Sequence, residues 1–484
     1  MRLSDVLPPE IIAPAQAGCI DVKGITAASS AVGPGWIFAA LPGARTDGAR
    51  FIPDAIQRGA SAIIVGQGKG IANDGPVPML CVNNPRRALA LIAARFHPRQ
   101  PEIAVAVTGT SGKTSVADFT RQIFSSLNRQ AASLGTIGLI KPGGSIYGSL
   151  TTPDPVTLHA TLDGLAGEGI THLAFEASSH GLDQNRLDGV RLKAAAFTNL
   201  GRDHMDYHPT VDHYFNAKLR LFTELLQPGQ AAVINTDGTY AERVIAAAQE
   251  RGLRVLTVGS KGKTLRRLSL KNEGFAQVML VEAEGRTYDV ALPLVGAYQA
   301  ENALTAAGLA IAAGEDVNLV LAALQTLHGV PGRLEIIGEA KGGLAIVDYA
   351  HKPEALAAAL DACRPLVSGK LISVFGCGGD RDKGKRPLMG QISAAKADVT
   401  IITDDNPRSE QPAAIRAEIL AGAKVATEIG DRAEAIRTAV AMMGQGDVVL
   451  VAGKGHETGQ IIGDRVIPFS DHEELRRALR ASDI

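Results

Sequence analysis

Short apolar runs alternate with longer stretches of helical character along the chain, a pattern that predicts α/β layers on largely parallel sheets. In a first block, residues 1–97, Trp36–Ala40 and Ala62–Val65 are runs of strand length. The turn-rich segment FHPRQPE, Phe96–Glu102, marks a domain boundary. A second block, residues 98–331, opens with a predicted strand at Ile103–Val107. Within it, Ala276–Glu282 and Thr287–Leu294 alternate apolar and polar residues about Gly285, which predicts an antiparallel hairpin added to the sheet. The segment HGVPGR, His328–Arg333, reads as a linker to a third block, residues 332–484. There Ala345–Tyr349, Leu371–Phe375, Val399–Ile402 and Val448–Ala452 are the predicted strands. No short-period repeat or low-complexity tract interrupts this pattern.

Length supports the same count, since 484 residues at roughly 150 per domain make about three domains. This excludes a small disulfide scaffold, a peptide hormone or a lone binding module. Hydrophobic residues are 45% of the chain and charged residues 20%, enough for several cores. Lys and Arg number 49 against 50 Asp and Glu, so the net charge of −1 lacks the basic field that nucleic-acid or anionic-membrane binding needs. Any phosphate must be held by local geometry. The 53 glycines favour close-approach βα turns, and aromatics at 4% argue against aromatic belts or base stacking. Apolar runs such as Ala88–Ala94 are far shorter than the ~20 residues that span a bilayer, so no membrane insertion is expected. The opening MRLSDVLPPEII lacks a basic segment followed by an apolar one, and Cys19, Cys81, Cys363 and Cys377 are scattered. The expectation is a cytoplasmic enzyme with reduced thiols.

The sharpest local signal is VAVTGTSGKTS, Val105–Ser115. A strand runs into Gly109, Thr110, Ser111 and Gly112, followed by Lys113, Thr114, Ser115 and a helix-forming stretch. Glycines let backbone amides wrap phosphate oxygens, Lys113 offers a cation to the terminal phosphates, and the Thr114 hydroxyl can ligate Mg²⁺. The helix N-terminus adds partial positive charge. The longer GxxxxGK[ST] form fails, because Val107 stands where its first glycine belongs. An incidental Gly-rich turn is the competing reading. A phosphate loop alone would also suit a kinase, a motor, a switch or a ligase.

Further motifs narrow the choice. HLAFEASSHGL, His172–Leu182, reads as a strand ending in Glu176, followed by a polar turn with Ser178, Ser179 and His180. A carboxylate at the carboxyl end of a neighbouring strand is where a second Mg²⁺ ligand belongs in an open α/β sheet. FTNLGRDHMDYH, Phe197–His208, crowds Asn199, Asp203, His204, Asp206 and His208 into one loop. For any single histidine the plain reading is a solvated or backbone-bonded side chain, but the density of metal-capable groups favours a site.

TGTSGKTS, TTPDP (Thr151–Pro155), EASSHGLDQNR (Glu176–Arg186), TNLGRDHMDYH and FNAKLRLF (Phe215–Phe222) together resemble the Mur ligase family, ATP-dependent enzymes that add amino acids to UDP-N-acetylmuramoyl peptides in bacterial wall synthesis. The likeness continues through VPGRLE, DYAHKP, FGCGGDRDKGKRPLMG, DDNPR and AGKGHE, and with the N-terminal ITAASSAVGPGWIFAALPG it covers essentially the whole chain. It implies an N-terminal UDP-binding α/β domain, a central P-loop ATPase-like domain with a mostly parallel sheet, and a C-terminal Rossmann-like domain. The C-terminal motifs are similar to those of members that add the third residue. DNPR, Asp405–Arg408, resembles the form in members that use meso-diaminopimelate rather than lysine. The expected partners are therefore ATP, UDP-N-acetylmuramoyl-L-Ala-D-Glu and meso-diaminopimelate, and the expected state is a monomer.

The resemblance also implies residue roles. The Gly109–Ser115 loop would hold ATP phosphates, with Asn302, Arg333 and Asp348 near adenine, phosphates and ribose. Thr114, Glu176, His204 and a carbamylated Lys218 would hold Mg²⁺, although spacing alone makes Lys218 a surface helix lysine. Carbamylation needs the neutral amine, so burial or neighbouring cations should lower its pKa from about 10.4. Thr151, Thr152, Ser178, Gln184 and Arg186 would meet the UDP-linked dipeptide, with Ser29 and the turn Ala44, Arg45 and Thr46 on the uridine side. Here Ala28-Ser29-Ser30 stands where the family often has Asp-Ser-Arg, and Gln299 stands where it frequently has Asn. Arg381, Asp405, Asn406, Pro407, Arg408, Gly453 and Glu457 would form the amino-acid pocket, where guanidinium groups suit the distal carboxylate that lysine lacks. His351 receives no role. The rivals are another ligase of the superfamily, such as a folylpolyglutamate synthase, and a nucleotide-dependent switch without chemistry.

Overall fold

A computed structural model describes residues 1–11, 17–43, 46–67, 77–146, 150–201, 203–205, 207–273 and 276–482. The chain forms two compact units, Met1–Arg266 with Leu304–Val320, and Arg267–Ala303 with Leu321–Ile484. Among the described residues no helix is long and apolar enough to cross a membrane.

The first unit contains a small parallel sheet in the order Gly24–Thr26, Trp36–Ala39, Ala60–Gly66, Met79–Val82. Its strands are continuous apolar runs because both faces are covered. Ile37 and Ile64 feed one core, while Phe38 and Ile63 feed another on the opposite face. The predicted strands at Trp36 and Ala62 are thus present, the second running two residues longer at its start.

A larger sheet in the same unit has the order Arg254–Gly259, Ala231–Asn235, Ala194–Phe197, Ile103–Thr108, His172–Glu176, Ala131–Gly135, then the antiparallel pair Gly138–Lys141 and Gly144–Ile146 at its edge. The first six are parallel. Ile103–Thr108 lies centrally, with Val107 opposite both Ala196 and Glu176. This register releases Gly109, Ala177 and Thr198 at one edge, outside the carboxyl ends of the strands, where ligands bind in open α/β sheets. The helix Lys113–Ser126 buries Val116, Phe119, Thr120, Ile123 and Phe124, spacings of three and four that form one face against the sheet. The small sheet is tied to the large one through its helix Pro85–Phe96. Asn84 caps that helix and donates from Nδ2 to Asn185 Oδ1 at 3.2 Å, and Arg87 Nε reaches Asp188 Oδ1 at 3.2 Å.

The second unit holds a six-stranded sheet in the order Glu335–Ala340, Gly343–Asp348, Val448–Ala452, Leu371–Phe375, Val399–Ile402, Thr427–Glu428, antiparallel only at its first pair. Along Gly343–Asp348, Leu344 and Ile346 enter one core and Ala345 and Val347 the other, so this strand too is covered on both faces. The predicted hairpin is present in this unit as Ala276–Ala283 paired with Arg286–Leu292, closed by a turn in which Glu284 and Gly285 take φ values of +51° and +74°. A longer helix, Ala297–Ala313, starts in this unit and carries Gln299 and Asn302.

Candidate active site

The phosphate loop is built by the turn between Ile103–Thr108 and Lys113–Ser126. Gly109 has φ +150°, and a Cβ there would stand 1.9 Å from Thr198 Oγ1, so only glycine fits. Gly112 caps the helix with φ +88°. The loop backbone is clamped by the segment after Ala194–Phe197. Thr198 Oγ1 donates to Ser111 O at 2.7 Å, Ser111 N donates to Asn199 Oδ1 at 3.0 Å, and Thr110 N donates to Asn199 O at 2.9 Å. The Lys113 ammonium donates to the carbonyls of Gly109 and Thr110, both at 2.9 Å. Val107, in the position that breaks the longer loop pattern, is a buried strand residue whose carbonyl accepts from Ala177 N at 2.8 Å.

Glu176 ends the neighbouring strand and is buried at 2% exposure. Its Oε1 accepts from Thr114 Oγ1 at 2.9 Å and from Thr136 N at 2.7 Å. A hydroxyl and a carboxylate meeting at a phosphate loop are hard oxygen donors of the type Mg²⁺ takes, so these two residues fit the ion. Among the described residues, no group of three or more His, Cys, Asp and Glu side chains is placed to hold a metal ion. Thr136 Oγ1 lies 3.0 Å from Thr151 Oγ1.

Lys218 is not on the surface. It sits on the helix Val211–Arg220 at 1% exposure, donates from Nζ to Gly109 O at 2.7 Å, and lies 4.4 Å from the centre of the Tyr214 ring. Burial lowers its pKa far below the ordinary lysine value, the Lys113 charge lowers it further, and Asp203 opposes them. The Tyr214 hydroxyl lies 3.1 Å from Thr110 Oγ1, which ties this helix to the loop. His204 has φ +54°, with Nε2 3.5 Å from Asp203 Oδ2 and its ring 4.8 Å from that of His180 and 6.2 Å from that of Tyr214. His208 is buried, its Nδ1 2.9 Å from His213 Nδ1, while Asp206 lies outside the described residues.

The residues expected to meet the peptide converge. Thr152 Oγ1 donates to Glu176 O at 2.8 Å and accepts from Ser178 N at 3.0 Å. Ser178 caps the short helix Ser179–Asp183. Arg186 reaches Thr152 O at 2.7 Å and Gln184 Oε1 at 2.8 Å, and Gln184 Nε2 reaches the Tyr207 hydroxyl at 3.2 Å. On the expected uridine side, Ser29 lies in the short turn Ser29–Ala31, and Thr46 is exposed beside the Pro42–Asp47 bridge. Ala44 and Arg45 lie outside the described residues.

In the second unit, Asn302 Nδ2 donates to Gln299 Oε1 at 2.9 Å, and Gln299 Nε2 donates to Arg333 O at 3.1 Å. Asp348, at the end of its strand, accepts from Leu334 N at 2.7 Å and Ala350 N at 2.8 Å. Burial raises its pKa to about 6 against the Arg333 charge and those two bonds. The Arg333 guanidinium stands 4.9 Å from the centre of the Tyr349 ring. His351 Nδ1 lies 2.9 Å from Tyr349 O, and burial lowers its pKa to about 4.

The residues expected to take the amino acid lie beyond the carboxyl ends of Val399–Ile402, Leu371–Phe375 and Val448–Ala452. Asn406 Nδ2 donates to Glu457 Oε2 at 2.9 Å. Asp405 is buried, and a Cβ on Gly453 would stand 2.8 Å from its Oδ2. Pro407 is buried, and Arg408 takes φ +50° and donates from Nη1 to Gly379 O at 2.9 Å. Arg381 is exposed, and its Cγ and Arg408 Nη1 both flank Gly378, 3.8 Å and 2.8 Å from where a Cβ there would be.

Family models match three consecutive parts of the chain: "Mur ligase family, catalytic domain" over residues 21–97, "Mur ligase middle domain" over 107–310 and "Mur ligase, glutamate ligase domain" over 332–455. The chain belongs to the Mur ligase family. It is 57% identical over 483 residues to the UDP-N-acetylmuramoyl-L-alanyl-D-glutamate--2,6-diaminopimelate ligase of Bradyrhizobium diazoefficiens, covering 99% of each chain. The ligase of the same name from Brucella melitensis is 55% identical over 482 residues, again covering 99% of each. A solved structure of a ligase with this name superposes with a TM-score of 0.75 at 33% identity over 99% of each chain. A MurF ligase from Thermotoga maritima in complex with ADP shares the fold, with a TM-score of 0.62 at 20% identity over 95% of this chain and 98% of its own. The three-domain α/β architecture expected from the motifs is that of the family.

Within this Mur ligase fold, several residues that sequence reasoning left out stand in the site. Tyr214 and Thr136 occupy it through contacts far apart in sequence, and no local pattern marks them, whereas Tyr207 lies inside the quoted FTNLGRDHMDYH motif. Lys454 lies inside the quoted AGKGHE motif, and its signal was available. Its side chain is fully buried, with Nζ 3.0 Å from Asn406 Oδ1 and 2.9 Å from Glu457 Oε2.

Proposed function

We propose that this Mur ligase joins meso-diaminopimelate to the D-Glu carboxyl of UDP-N-acetylmuramoyl-L-Ala-D-Glu, with ATP converted to ADP and phosphate. A carboxylate cannot expel oxide, so ATP first phosphorylates it. The amine of the incoming amino acid then attacks the acyl phosphate, phosphate leaves, the amine proton is lost, and an amide remains. Two anions must meet in the first step, and cations offset their repulsion. The Gly109–Ser115 amides and Lys113 take the ATP phosphates, Asn302 the adenine, Arg333 a phosphate and Asp348 the ribose. Thr151, Thr152, Ser178, Gln184 and Arg186 take the peptide and diphosphate of the nucleotide substrate, and Ser29 and the 44–46 turn its uridine side.

Thr114 and Glu176 would hold Mg²⁺, together with His204 and Lys218 as its carbamate. The ion, when bound, would neutralise charge on the terminal phosphates. A buried, uncharged Lys218 amine is the form whose lone pair attacks the carbon of CO₂, with loss of one N–H proton to solvent, and the resulting carbamate would offer anionic oxygen in place of an ammonium. Arg381 and Arg408 take the distal carboxylate of the amino acid, with Asp405, Asn406, Pro407, Gly453 and Glu457 around its amino group. We assign residues 1–97, 98–331 and 332–484 to the UDP-substrate, ATP and amino-acid domains of a cytoplasmic monomer.

The observation that supports the amino-acid choice is the DNPR loop, whose Asn406 and Arg408 side chains are fixed beside Glu457 and Gly379, in a chain 57% identical to a named 2,6-diaminopimelate ligase. The test is ligation of radiolabelled meso-diaminopimelate against L-lysine, with ADP release measured with each substrate omitted. Discrimination of about 10⁴-fold or more is expected, because lysine leaves the arginines without their partner. Arg408→Asn should narrow that preference and leave the KM for ATP unchanged. Equal use of lysine would overturn the assignment.

A further inference from the structure

Lys454 has no role in the assignments above, yet it is a fully buried cation bonded within the amino-acid pocket. It follows Gly453 just beyond Val448–Ala452. Its Nζ donates to Asn406 Oδ1 at 3.0 Å and to Glu457 Oε2 at 2.9 Å, and lies 3.8 Å from Asp405 Oδ1. Asn406 closes the triangle by donating from Nδ2 to the same Glu457 oxygen at 2.9 Å, while its Oδ1 also accepts from Ile461 N at 2.9 Å. The strands that carry these two loops are not neighbours, because Leu371–Phe375 lies between Val399–Ile402 and Val448–Ala452. The segments that follow them pair at a single parallel bridge, with Arg408 N donating to Ile461 O at 3.0 Å and Gly463 N to Arg408 O at 2.8 Å, and the ammonium adds the side-chain link that joins Asn406 to Glu457 themselves.

With two donors on Oε2, the Glu457 carboxylate is held in one orientation, and its partly exposed side (27% of the side chain) leaves the other oxygen to a ligand. Lys454 itself, at 0% exposure, is shut off from substrate. We propose that Lys454 is a positioning residue for amino-acid selection, which holds Asn406 and Glu457 in the arrangement that receives the ammonium of the incoming diamino acid. The inference rests on the reading that this pocket takes the amino acid.

Charge adds a second effect. Burial pushes the Glu457 carboxyl up, and the Lys454 ammonium and Asn406 amide outweigh it and bring it below the ordinary carboxylate range. The other titratable or charged groups facing the cluster are Asp405 on the DNPR loop, His456 beside Glu457, which burial keeps neutral by lowering its pKa to about 4, His472 beyond it, and the Arg432–Asp471 pair behind. None of them is bonded to Glu457 as Lys454 is. Loss of the ammonium leaves burial opposed by the Asn406 bond and the Arg432 charge, so the carboxyl should rise, and a protonated Glu457 is a poor partner for an ammonium.

The experiment compares the wild-type full chain with Lys454→Met in steady-state ligation, varying each substrate in turn and the pH. The expected result is a rise of about 10–100-fold in KM for meso-diaminopimelate, the size of a lost charge-assisted arrangement. The KM values for ATP and the UDP-dipeptide should stay within about 2-fold, and an acidic limb absent from the wild type should appear in kcat/KM for the amino acid. A lower melting temperature with an unchanged amino-acid KM and no new acidic limb overturns the proposal, as does an equal rise in all three KM values. If Lys454→Met does not fold, Lys454→Gln, which keeps a donor and removes the charge, is read the same way, and failure of both to fold also overturns it. Should the wild type refuse meso-diaminopimelate, the substrate reading fails by itself, and the comparison is made with the amino acid the enzyme accepts.

Discussion

Replacing Lys218 by Met should stabilise the protein while abolishing its chemistry. Lys218 is buried at 1% exposure, with its Nζ on Gly109 O at 2.7 Å, and burial with the Lys113 charge disfavours its ammonium form. That carbonyl also accepts from Lys113 Nζ at 2.9 Å, so it keeps a partner when Lys218 is lost. Methionine has nearly the length of lysine and carries no charge to desolvate. Replacing buried ions with apolar side chains of similar volume gains about 1–4 kcal/mol in favourable cases. The contact of Nζ with the Tyr214 ring, 4.4 Å from its centre, is an N–H···π contact for the uncharged amine and is lost at a cost of about 0.5–1 kcal/mol. The net expectation is a gain of about 1–2 kcal/mol, or about 2–8 °C in Tm.

The gain has a sign in pH. Burial lowers the folded-state pKa of Lys218, so the folded protein binds fewer protons than the unfolded chain between the two values. Wild-type stability therefore rises with pH over that interval, and the Met variant lacks the rise. Its advantage is largest on the acid side and shrinks as the pH nears the ordinary lysine value of about 10.4. Urea unfolding followed by circular dichroism, in buffer free of bicarbonate and nucleotide, measures both the size and the slope. A variant less stable than the wild type, or an advantage independent of pH, refutes the reasoning. Ligation by the variant should fall by at least about 10²–10³-fold, the scale of a lost electrostatic contact in a closed site.

Lys113→Ala should slow ADP release by about 10²–10³-fold while leaving the circular dichroism spectrum unchanged, because the cation proposed for the terminal phosphates is lost from a loop whose backbone is clamped by Thr198 and Asn199. Burial pushes the Asp348 carboxyl up to about 6, so with its proposed place at the ribose the KM for ATP should rise as the pH falls through about 6, and Asp348→Asn should flatten that profile. Arg432→Met should cost about 3–5 kcal/mol in urea unfolding, since it strands the fully buried Asp471, and adding Asp471→Leu should recover most of it.

How much was legible in the sequence depends on the range over which each feature is encoded. The phosphate loop was readable because glycines, lysine and threonine follow a strand within a few residues, and the backbone there is dictated by neighbours. Val107 did not spoil it, since the strand simply runs through that position. The hairpin at Gly285 and the strands Leu371–Phe375, Val399–Ile402 and Val448–Ala452 were set by apolar runs and turn residues of similar short range. Strand ends erred by a residue or two: the predicted Thr287–Leu294 is Arg286–Leu292, and Ala345–Tyr349 is Gly343–Asp348. A terminal residue is strand only if its neighbour offers a hydrogen-bonding partner.

The chain by itself determined which chemical groups exist and which strand ends deliver them: Gly109 and Lys113 after one strand, Glu176 after the next, Asn406 and Arg408 after a third. Only the tertiary structure decided which of them meet. Spacing made Lys218 a surface lysine, and it became a buried one because its helix lies against a loop 109 residues away. Lys454 stood unremarked in a motif until folding set it against Asn406, 48 positions earlier, across an intervening strand. Burial and charge pairing are sums over neighbours in space, so a side chain's ionisation belongs to the packed fold, whereas local backbone geometry belongs to the few residues on either side.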